Sequence, residues 1–389
     1  MCNWRRCGKV VMKKVFRADH CGSFIRPDRL RKARAAHMHG RVSEQELKEI
    51  EDEEILAVLG LQRDAGLEIY SDGEFRRGFW LSAISDRFFE GFTDMGIDYA
   101  RYPRLREIDI ADKEELIPQH PVVSGRLRAK KRITSEEISF LKAYAPGTFK
   151  MTVPSPVTLT RFQYRAGVSD RAYPTWFDFF DDFTRLMAEE VKAIVDDGVS
   201  YVQLDAPGYS RFIVPERRRQ LIEQGLDPEQ ELQAALAAEN RCLRAAKREG
   251  VTVAVHICLG TYILGAQGPL GGAGGDYDAR TVARIIDTLD ADTFLIEYSE
   301  RSGTLATLRE VPKRKTISLG IINVRDPIVE SPDDVIRKIE IASKFVPIEN
   351  LSICPNCGFS GAAADTWITE DVQRRKLEVL VDVARRVWA

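Results

Sequence analysis

The stretch WFDFFDDFTRLMAEEVKAIVDDGVSYVQLDAP, residues 176–207, contains the unit from which most of the chain is built. Residues 176–196 carry the periodic apolar pattern of an amphipathic helix, and residues 200–204 form a short run typical of a buried strand. A helix that leads directly into a buried strand is the order found in parallel α/β folds. This stretch therefore predicts a helix packed on a parallel sheet.

The same alternation continues in both directions along the chain. Strands are predicted at residues 15–20, 67–71, 149–153, 200–204, 251–256, 293–297, 316–321 and 351–354. Helices are predicted at residues 43–65, with Ser43 as the N-cap, and at 176–196, 227–247, 278–289, 332–345 and 370–387. Parallel strands in this number, with helices between them, predict an α/β fold of the closed (β/α)8, or TIM, barrel type.

Two segments depart from this rhythm. Residues 101–135 are polar and rich in Arg and Lys, and they predict a hairpin-like insertion after the second strand. Residues 1–14 have no periodicity and predict a loose N-terminal extension. The rest of the chain, residues 15–389, is expected to form a single barrel domain.

Composition limits the classes of partner. Hydrophobic residues make up 44% and charged residues 30% of the 389 residues, as in a globular protein with a substantial core. The 57 Lys and Arg nearly balance the 59 Asp and Glu, so no strong field favours nucleic acid or a membrane, and a small-molecule partner is expected. No apolar run approaches the roughly 20 residues of a membrane span, and the amino terminus lacks the apolar core of a secretory signal. We therefore expect a cytoplasmic protein.

Residues suited to metal binding collect where the predicted strands end, which is where TIM barrels build their active sites. Asp205 follows the fourth strand, His256 and Cys258 the fifth, Glu297 the sixth and Cys357 the eighth. Because side chains alternate along a strand, His256 and Cys258 point to the same side. Two thiolates, an imidazole and a carboxylate are a donor set that selects Zn²⁺ over Mg²⁺ or Ca²⁺.

The cysteines are odd in number, seven, and two of them lie beside a histidine or another cysteine, which suits metal binding in a reducing compartment better than disulfides. Cys354 and Cys357 have the C-x-x-C spacing, which leaves a redox pair or a zinc knuckle open. Cys354 lies in an apolar run, so a buried structural thiol is the favoured interpretation.

Asp205 has two interpretations that are about equally favoured. It could cap a helix or turn, or it could be a carboxylate that binds a substrate ammonium group.

Two further motifs have both a structural and a functional interpretation. Asp72 and Glu74 could serve acid–base chemistry, but a charge network with Arg76 and Arg77 is favoured. The glycine-rich residues 265–275 lack the Lys-Ser/Thr of a phosphate loop, and a plain loop is favoured over a lid.

With these residues in place, the sequence resembles the cobalamin-independent methionine synthase family, in a short form that matches only the carboxyl-terminal catalytic barrel. The resemblance runs from about residue 15 to the carboxyl terminus. It is carried, in family order, by RADHCGSFIRPDRL (17–30), YSDGEFRRGFW (70–80), YVQLDAPGY (201–209), VHICLGTY (255–262), FLIEYSERSG (294–303), SPDDVIRKIEIASKFVPIENL (331–351) and ICPNCGFSG (353–361).

The resemblance implies that His256, Cys258, Glu297 and Cys357 are the ligands of a zinc cofactor. It also places Ser23 and Asp205 beside the amino-acid part of a thiol substrate, with Asp205 the expected catalytic residue. Ala206 departs from the family pattern where a polar residue or carboxylate is usual, which bears on the substrate rather than on zinc.

The implied activity is zinc-dependent methyl or alkyl transfer to a small-molecule thiol, with homocysteine as the first candidate acceptor. Another thiol such as coenzyme M, or demethylation of a different methyl donor, remains open, and a zinc hydrolase and a structural zinc protein are the competing classes. The donor is also open, with a methylated folate and methylcobalamin among the candidates. No nucleic acid or membrane partner is expected, and a homo-oligomer is left open.

Overall fold

A computed structural model describes residues 15–78, 84–85, 87–94, 121–159, 161–258, 278–298, 304–361 and 368–389. The strands are β1 (Phe89–Asp94), β2 (Pro121–Ala129), β3 (Met151–Pro154), β4 (Tyr201–Asp205), β5 (Thr252–Ile257), β6 (Thr293–Glu297), β7 (Thr316–Ile322) and β8 (Leu351–Pro355). The helices are α1 (Asp28–Met38), α2 (Glu44–Ala65), α3 (Ser135–Tyr144), α4 (Trp176–Asp196), α5 (Ser210–Ile213), α6 (Pro215–Glu223), α7 (Pro228–Ala246), α8 (Ala279–Thr288), α9 (Thr304–Glu310), α10 (Pro332–Ser343) and α11 (Glu370–Trp388). The predicted extension at residues 1–14 and the glycine-rich loop at 265–275 lie outside the described residues.

The central sheet is parallel, and its strands β3 to β8 are neighbours in chain order. The two remaining predicted strands lie at its edges, where Ala18 forms a parallel bridge with Ile353 and Tyr70 forms one with Phe149. These two edges meet, because the backbone amide of Phe24 donates to the carbonyl of Gly73 at 3.1 Å. The predicted α/β TIM barrel is thus confirmed, although residues 15–20 and 67–71 each contribute one bridge instead of a regular strand.

Side chains take the place of ladder hydrogen bonds where these two edges meet. The amide of Gln62 accepts from the backbone N–H of Ser71 at 3.0 Å and donates to its carbonyl at 2.8 Å. The Ser71 hydroxyl then donates to the carbonyl of Gly22 at 2.7 Å. The polar groups of the backbone are satisfied in this way without a regular strand.

The predicted insertion after the second strand is an antiparallel hairpin of β1 and β2. It begins at Phe89, earlier than the predicted start at residue 101, and its first strand packs on α4 through Phe92 against Phe179. Residues 101–120 of the predicted segment lie outside the described residues. Gly91 lies at φ +94° where a side chain would collide with the carbonyl of Arg126, so this position requires glycine.

The predicted helices begin and end within a few residues of their expected bounds. Ser43 caps α2 in a reciprocal capping box with Glu46, and α4 spans the predicted residues 176–196. Among the described residues, no helix has the length and apolar character needed to cross a membrane.

The barrel strands have two different faces. Val202 and Leu204 of β4 point outward into the large apolar layer between the strands and the helices. Tyr201 belongs instead to a small cluster of residues inside the barrel. Because strand side chains alternate, Gln203 and Asp205 share the inward side with Tyr201. The inward face therefore places polar side chains beneath and around the barrel mouth.

Candidate metal and substrate site

Three predicted ligands lie together at the carboxyl ends of the strands. The donor atoms of His256, Cys258 and Cys357 all lie within 4.8 Å of one another. The two sulfur atoms are 3.9 Å apart. His256 and Cys258 are buried and Cys357 is partly exposed, so the cluster opens toward the barrel mouth on one side.

The His256 ring is oriented for metal binding. Its Nδ1 lies 3.2 Å from Oδ1 of Asp205, while its buried Nε2 has no hydrogen-bond partner among the described residues. A carboxylate beside Nδ1 keeps a proton on that nitrogen, so that Nε2 is the nitrogen left for a metal, which is the usual support for a histidine ligand to zinc. Asp205 therefore has a positioning contact that the sequence did not reveal.

The electrostatics of the cluster favour a cation. Burial lowers the pKa of His256, but the hydrogen bond with Asp205 and the negative charge of Cys357 outweigh it and raise the pKa to about 9. Positive charge at the ring is therefore stabilised by its surroundings. One imidazole nitrogen together with two sulfurs is the donor chemistry that soft divalent metals prefer, so these residues fit Zn²⁺.

Glu297 ends β6 close to this cluster. Ile296 pairs with Ile257 in the sheet, so Glu297 and Cys258 are the next residues on neighbouring strands. Glu297 is buried, with 5% of its surface exposed. It is not one of the three residues whose donor atoms meet within 4.8 Å among the described residues, and its role as a fourth ligand stays a prediction.

Cys354 lies apart from that group of donors. It is buried in the small cluster inside the barrel, and its sulfur lies 3.8 Å from the carbonyl of Ser318. These surroundings agree with the predicted structural thiol.

Ser23 lies against the loop that carries Cys357. Its carbonyl accepts from the backbone amide of Phe359 at 3.0 Å, and a Cβ atom at Gly358 would collide with its hydroxyl oxygen. Ser23 is buried, and its predicted contact with substrate remains a prediction.

Glu74 has a backbone conformation and surroundings that the sequence did not reveal. It has a φ of +60°, the only positive value among the described residues other than glycine, and such strain is concentrated at functional sites. Its Oε1 accepts from the Thr152 hydroxyl at 2.7 Å, while its buried Oε2 has no partner in the parts of the chain that the structure describes. Burial raises the pKa of the Glu74 carboxyl; the Arg77 charge opposes this and the Asp205 charge adds to it. Two carboxylates thus influence each other at the barrel mouth.

The predicted charge network of Asp72 and Glu74 involves both arginines, because the Asp72 charge interacts with Arg76 and with Arg77. Arg77 lies 3.5 Å from Glu74 and donates to the carbonyl of Thr152 at 2.8 Å. Arg76 also pairs with Glu51 and Asp52 of α2. The one signal in the sequence was the glycine before Glu74, which marks an unusual backbone but does not distinguish strain from an ordinary turn.

The chain is thus a TIM-barrel protein that carries a possible metal site at the carboxyl-terminal face of the barrel. The site consists of one histidine and two cysteines. The model of the family described as cobalamin-independent synthase, catalytic domain, matches residues 16–386. The chain therefore belongs to this methionine-synthase-like family of methyltransferases.

Individual relatives agree with this assignment. The uncharacterised protein YxjG of Bacillus subtilis is 31% identical over 385 residues, which cover 97% of this chain and 96% of YxjG. A methionine synthase of Sulfolobus acidocaldarius is 22% identical, with 87% of this chain and 84% of that protein covered. The crystal structure of a protein assigned as a vitamin-B12-independent methionine synthase from Listeria monocytogenes has a TM-score of 0.71 at 25% identity, covering 97% of this chain and 99% of that one.

Proposed function

We propose that this protein is a zinc-dependent methyltransferase that transfers a methyl group to the sulfur of homocysteine. The observation that carries the proposal is the cluster of His256, Cys258 and Cys357 at the barrel mouth of a member of a methyltransferase family, with Nε2 of His256 unpartnered within the described part of the chain. Glu297 is the proposed fourth ligand. Zinc, when bound, supplies a Lewis acid that lowers the pKa of the substrate thiol, so that the thiolate is available at neutral pH.

The residues around the cluster have two further proposed roles, which are to orient His256 and to bind the rest of the substrate. Asp205 orients His256 through Nδ1. Asp205 and Glu74 place two carboxyl groups at the barrel mouth, and Ser23 adds a hydroxyl beside the Cys357 loop. A substrate held there places its sulfur near the ligand cluster and its charged end near the carboxylates. The protein then contributes placement of the thiol and exclusion of water.

The two carboxylates favour homocysteine over a thiol that ends in a sulfonate. An ammonium group can donate charge-assisted hydrogen bonds to Asp205 or Glu74, whereas a sulfonate has no hydrogen to donate to either. A methionine synthase from Sulfolobus acidocaldarius, which this chain resembles over most of its length, supports the same acceptor. We expect the methyl donor to be a methylated folate or a methylcorrinoid, and we expect the enzyme in a reducing compartment that keeps the clustered thiols reduced.

An assay of thiol and donor pairs tests the proposal. Purified protein loaded with zinc is incubated with homocysteine or 2-mercaptoethanesulfonate, and with methyltetrahydrofolate or methylcobalamin as donor, and the methylated thiol is measured by mass spectrometry. We expect methionine from one of the two donors, and no methylation of the sulfonate. Methylation of the sulfonate alone would overturn homocysteine as the acceptor, and no zinc-dependent methylation of either thiol would overturn the proposed activity.

A pair of cysteine variants controls the assay. Cys258→Ala is expected to abolish activity, whereas Cys242→Ala removes an equally buried thiol from α7 in the outer layer and is expected to retain it. Equal activity in the two variants would show that the activity does not depend on the ligand cluster.

A further inference from the structure

A buried lysine lies inside the barrel below the ligand cluster. Lys150 comes just before β3, and its side chain is fully buried. Its ammonium group donates to Oδ1 of Asp19 at 2.7 Å, to Oε1 of Gln203 at 2.8 Å and to the carbonyl of His20. The Tyr201 hydroxyl donates to the other oxygen of Asp19 at 2.5 Å. The buried charge is therefore paired and fully hydrogen-bonded, as buried charges must be.

Lys150 determines which way the Gln203 amide faces. An ammonium group has only donors, so it must meet the amide oxygen of Gln203 and not the amide nitrogen. The nitrogen then donates to Oδ1 of Asp205 at 2.7 Å and to the carbonyl of Cys21 at 3.1 Å. A flipped amide would oppose donor to donor at Lys150 and acceptor to acceptor at Asp205 and Cys21. Three contacts thus select one orientation.

The series of hydrogen bonds with a fixed donor and acceptor at each step continues from Gln203 to the ligand cluster. Oδ1 of Asp205 accepts from Gln203 and lies 3.2 Å from Nδ1 of His256. An oxygen that accepts from both sides requires a proton on Nδ1 of His256, so that Nε2 is the nitrogen available to a metal. Each group in the series, from the lysine to the histidine, therefore has only one hydrogen-bonding arrangement.

We propose that Lys150 and Gln203 are positioning residues that set the orientation of Asp205 and, through it, the donor state of His256 toward a metal. The inference rests on the proposed function, in which His256 binds zinc. Neither residue is expected to touch substrate or metal, and Asp19 serves as the counter-ion that allows Lys150 to be buried.

Removal of the amide at position 203 gives the sharpest test. Gln203→Met keeps the side-chain length but leaves Asp205 without one donor and Lys150 without one acceptor. We expect zinc affinity, measured by competition with a chromophoric chelator, to fall about tenfold, the lower end of the range for residues that support a metal ligand. We also expect a shifted visible spectrum of the Co²⁺-substituted protein, because the ligand field changes when the histidine is reoriented.

Gln62→Met is the matched control. Gln62 is equally buried and its amide also makes hydrogen bonds, but to the backbone of Ser71 and not to Asp205. This variant is expected to lose stability while its zinc affinity stays within about twofold of wild type. Equal zinc affinity and identical Co²⁺ spectra for Gln203→Met and wild type would overturn the inference.

Removal of the lysine charge provides a second variant. Lys150→Met is expected to weaken zinc binding about as much as Gln203→Met, because the Gln203 amide is then free to turn. Its control is Lys376→Met, which removes another fully buried lysine, one paired with Glu330 on the outside of the barrel. Zinc affinity that is equal in the two lysine variants would contradict a directional role for Lys150.

A measurement on the unchanged protein remains decisive if these variants fail to fold. Long-range ¹H–¹⁵N NMR of the zinc-loaded protein should place the His256 proton on Nδ1, and a proton on Nε2 would overturn the inference. Wild-type protein that binds no zinc would overturn the proposed function together with the inference. Zinc binding in wild type that is unaltered in Gln203→Met would overturn the inference alone.

Discussion

The outward and inward faces of the same barrel strands have opposite characters. On β4, Val202 and Leu204 point outward into the apolar layer beneath the helices, whereas Gln203 and Asp205 point inward and form hydrogen bonds. On β5, Val255 likewise packs outward. Because successive side chains of a strand point to opposite faces, neighbouring residues have different roles. Outward residues hold the helices on the sheet, and inward residues build the site.

Substitutions on the two faces should therefore affect different properties of the protein, namely its stability and its metal binding. An outward change should lower the free energy of unfolding and leave metal binding intact, because it removes apolar burial. An inward change near the mouth should lower metal affinity or activity with a smaller effect on folding. Each of the following predictions tests whether the outward and inward faces can be changed independently.

The largest effect is expected at the inward cysteines. Cys258→Ala should reduce bound zinc from about one per chain to a small fraction, because a thiolate ligand is removed from the cluster. Cys357→Ala should do the same, whereas Cys354→Ser should keep its zinc, since Cys354 lies apart from the donor group. Elemental analysis of the purified variants measures this, and equal metal loss in all three would contradict the assignment.

On the outward face, Leu204→Ala should cost about 2–5 kcal/mol of unfolding free energy, because a fully buried side chain leaves a cavity in the apolar layer. Urea denaturation gives the change in stability, and elemental analysis should still find full zinc occupancy. A clear loss of zinc from the folded variant would show that the two faces are not independent.

Asp205→Asn should raise the KM for homocysteine by about ten- to a hundredfold, equivalent to roughly 1.5–3 kcal/mol for a hydrogen bond to a charged group. The contact with His256 adds an expectation that the sequence alone did not give, namely weaker zinc binding by about 10–100-fold. Steady-state kinetics at saturating zinc separate the two effects. An unchanged KM would leave Asp205 with its positioning role only.

An effect that appears only as the pH changes is expected at Glu239 of α7, a carboxyl buried against Ser155 in the outer layer. Burial raises its pKa to about 8 from the ordinary 4.5, and the Asp205 charge adds to this while the Ser155 hydrogen bond opposes it. Between these values the unfolded chain releases a proton that the folded chain keeps. Wild-type stability should therefore fall as pH rises from 4.5 to 8, by at most about 1.4 kcal/mol per pH unit.

Glu239→Gln removes this titration. The variant should gain in stability relative to wild type as pH rises through that window. Denaturant unfolding of both proteins at several pH values is the measurement. Unfolding free energies that change in parallel with pH would mean that the carboxyl has an ordinary pKa.

The fold could be predicted because the pattern that defines it is local. Apolar periodicity located β3 to β8 and their helices, and the ends of those strands brought His256, Cys258 and Cys357 to one face. Residues 15–20 and 67–71 carry strand-like patterns as well, but side chains such as Gln62 replaced the ladder there. Competition of that kind depends on distant residues and leaves no local pattern.

The polar interior could not be predicted for the same reason. Lys150 and Gln203 are ordinary residues in sequence, and their importance comes from meeting Asp19 and Asp205 across separate strands. The strained backbone of Glu74 was likewise invisible, because a positive φ at a residue other than glycine is imposed by its surroundings.

The central claim is that the inward ends of β5 and the β8 loop form a zinc site for a thiol substrate. X-ray absorption at the zinc edge of the loaded protein tests it most directly. We predict a coordination shell with the two sulfurs of Cys258 and Cys357 at about 2.3 Å and nitrogen or oxygen ligands at about 2.0–2.2 Å, with one further sulfur when homocysteine is added. A shell of oxygen and nitrogen only, or a sulfur count that homocysteine leaves unchanged, would contradict the account.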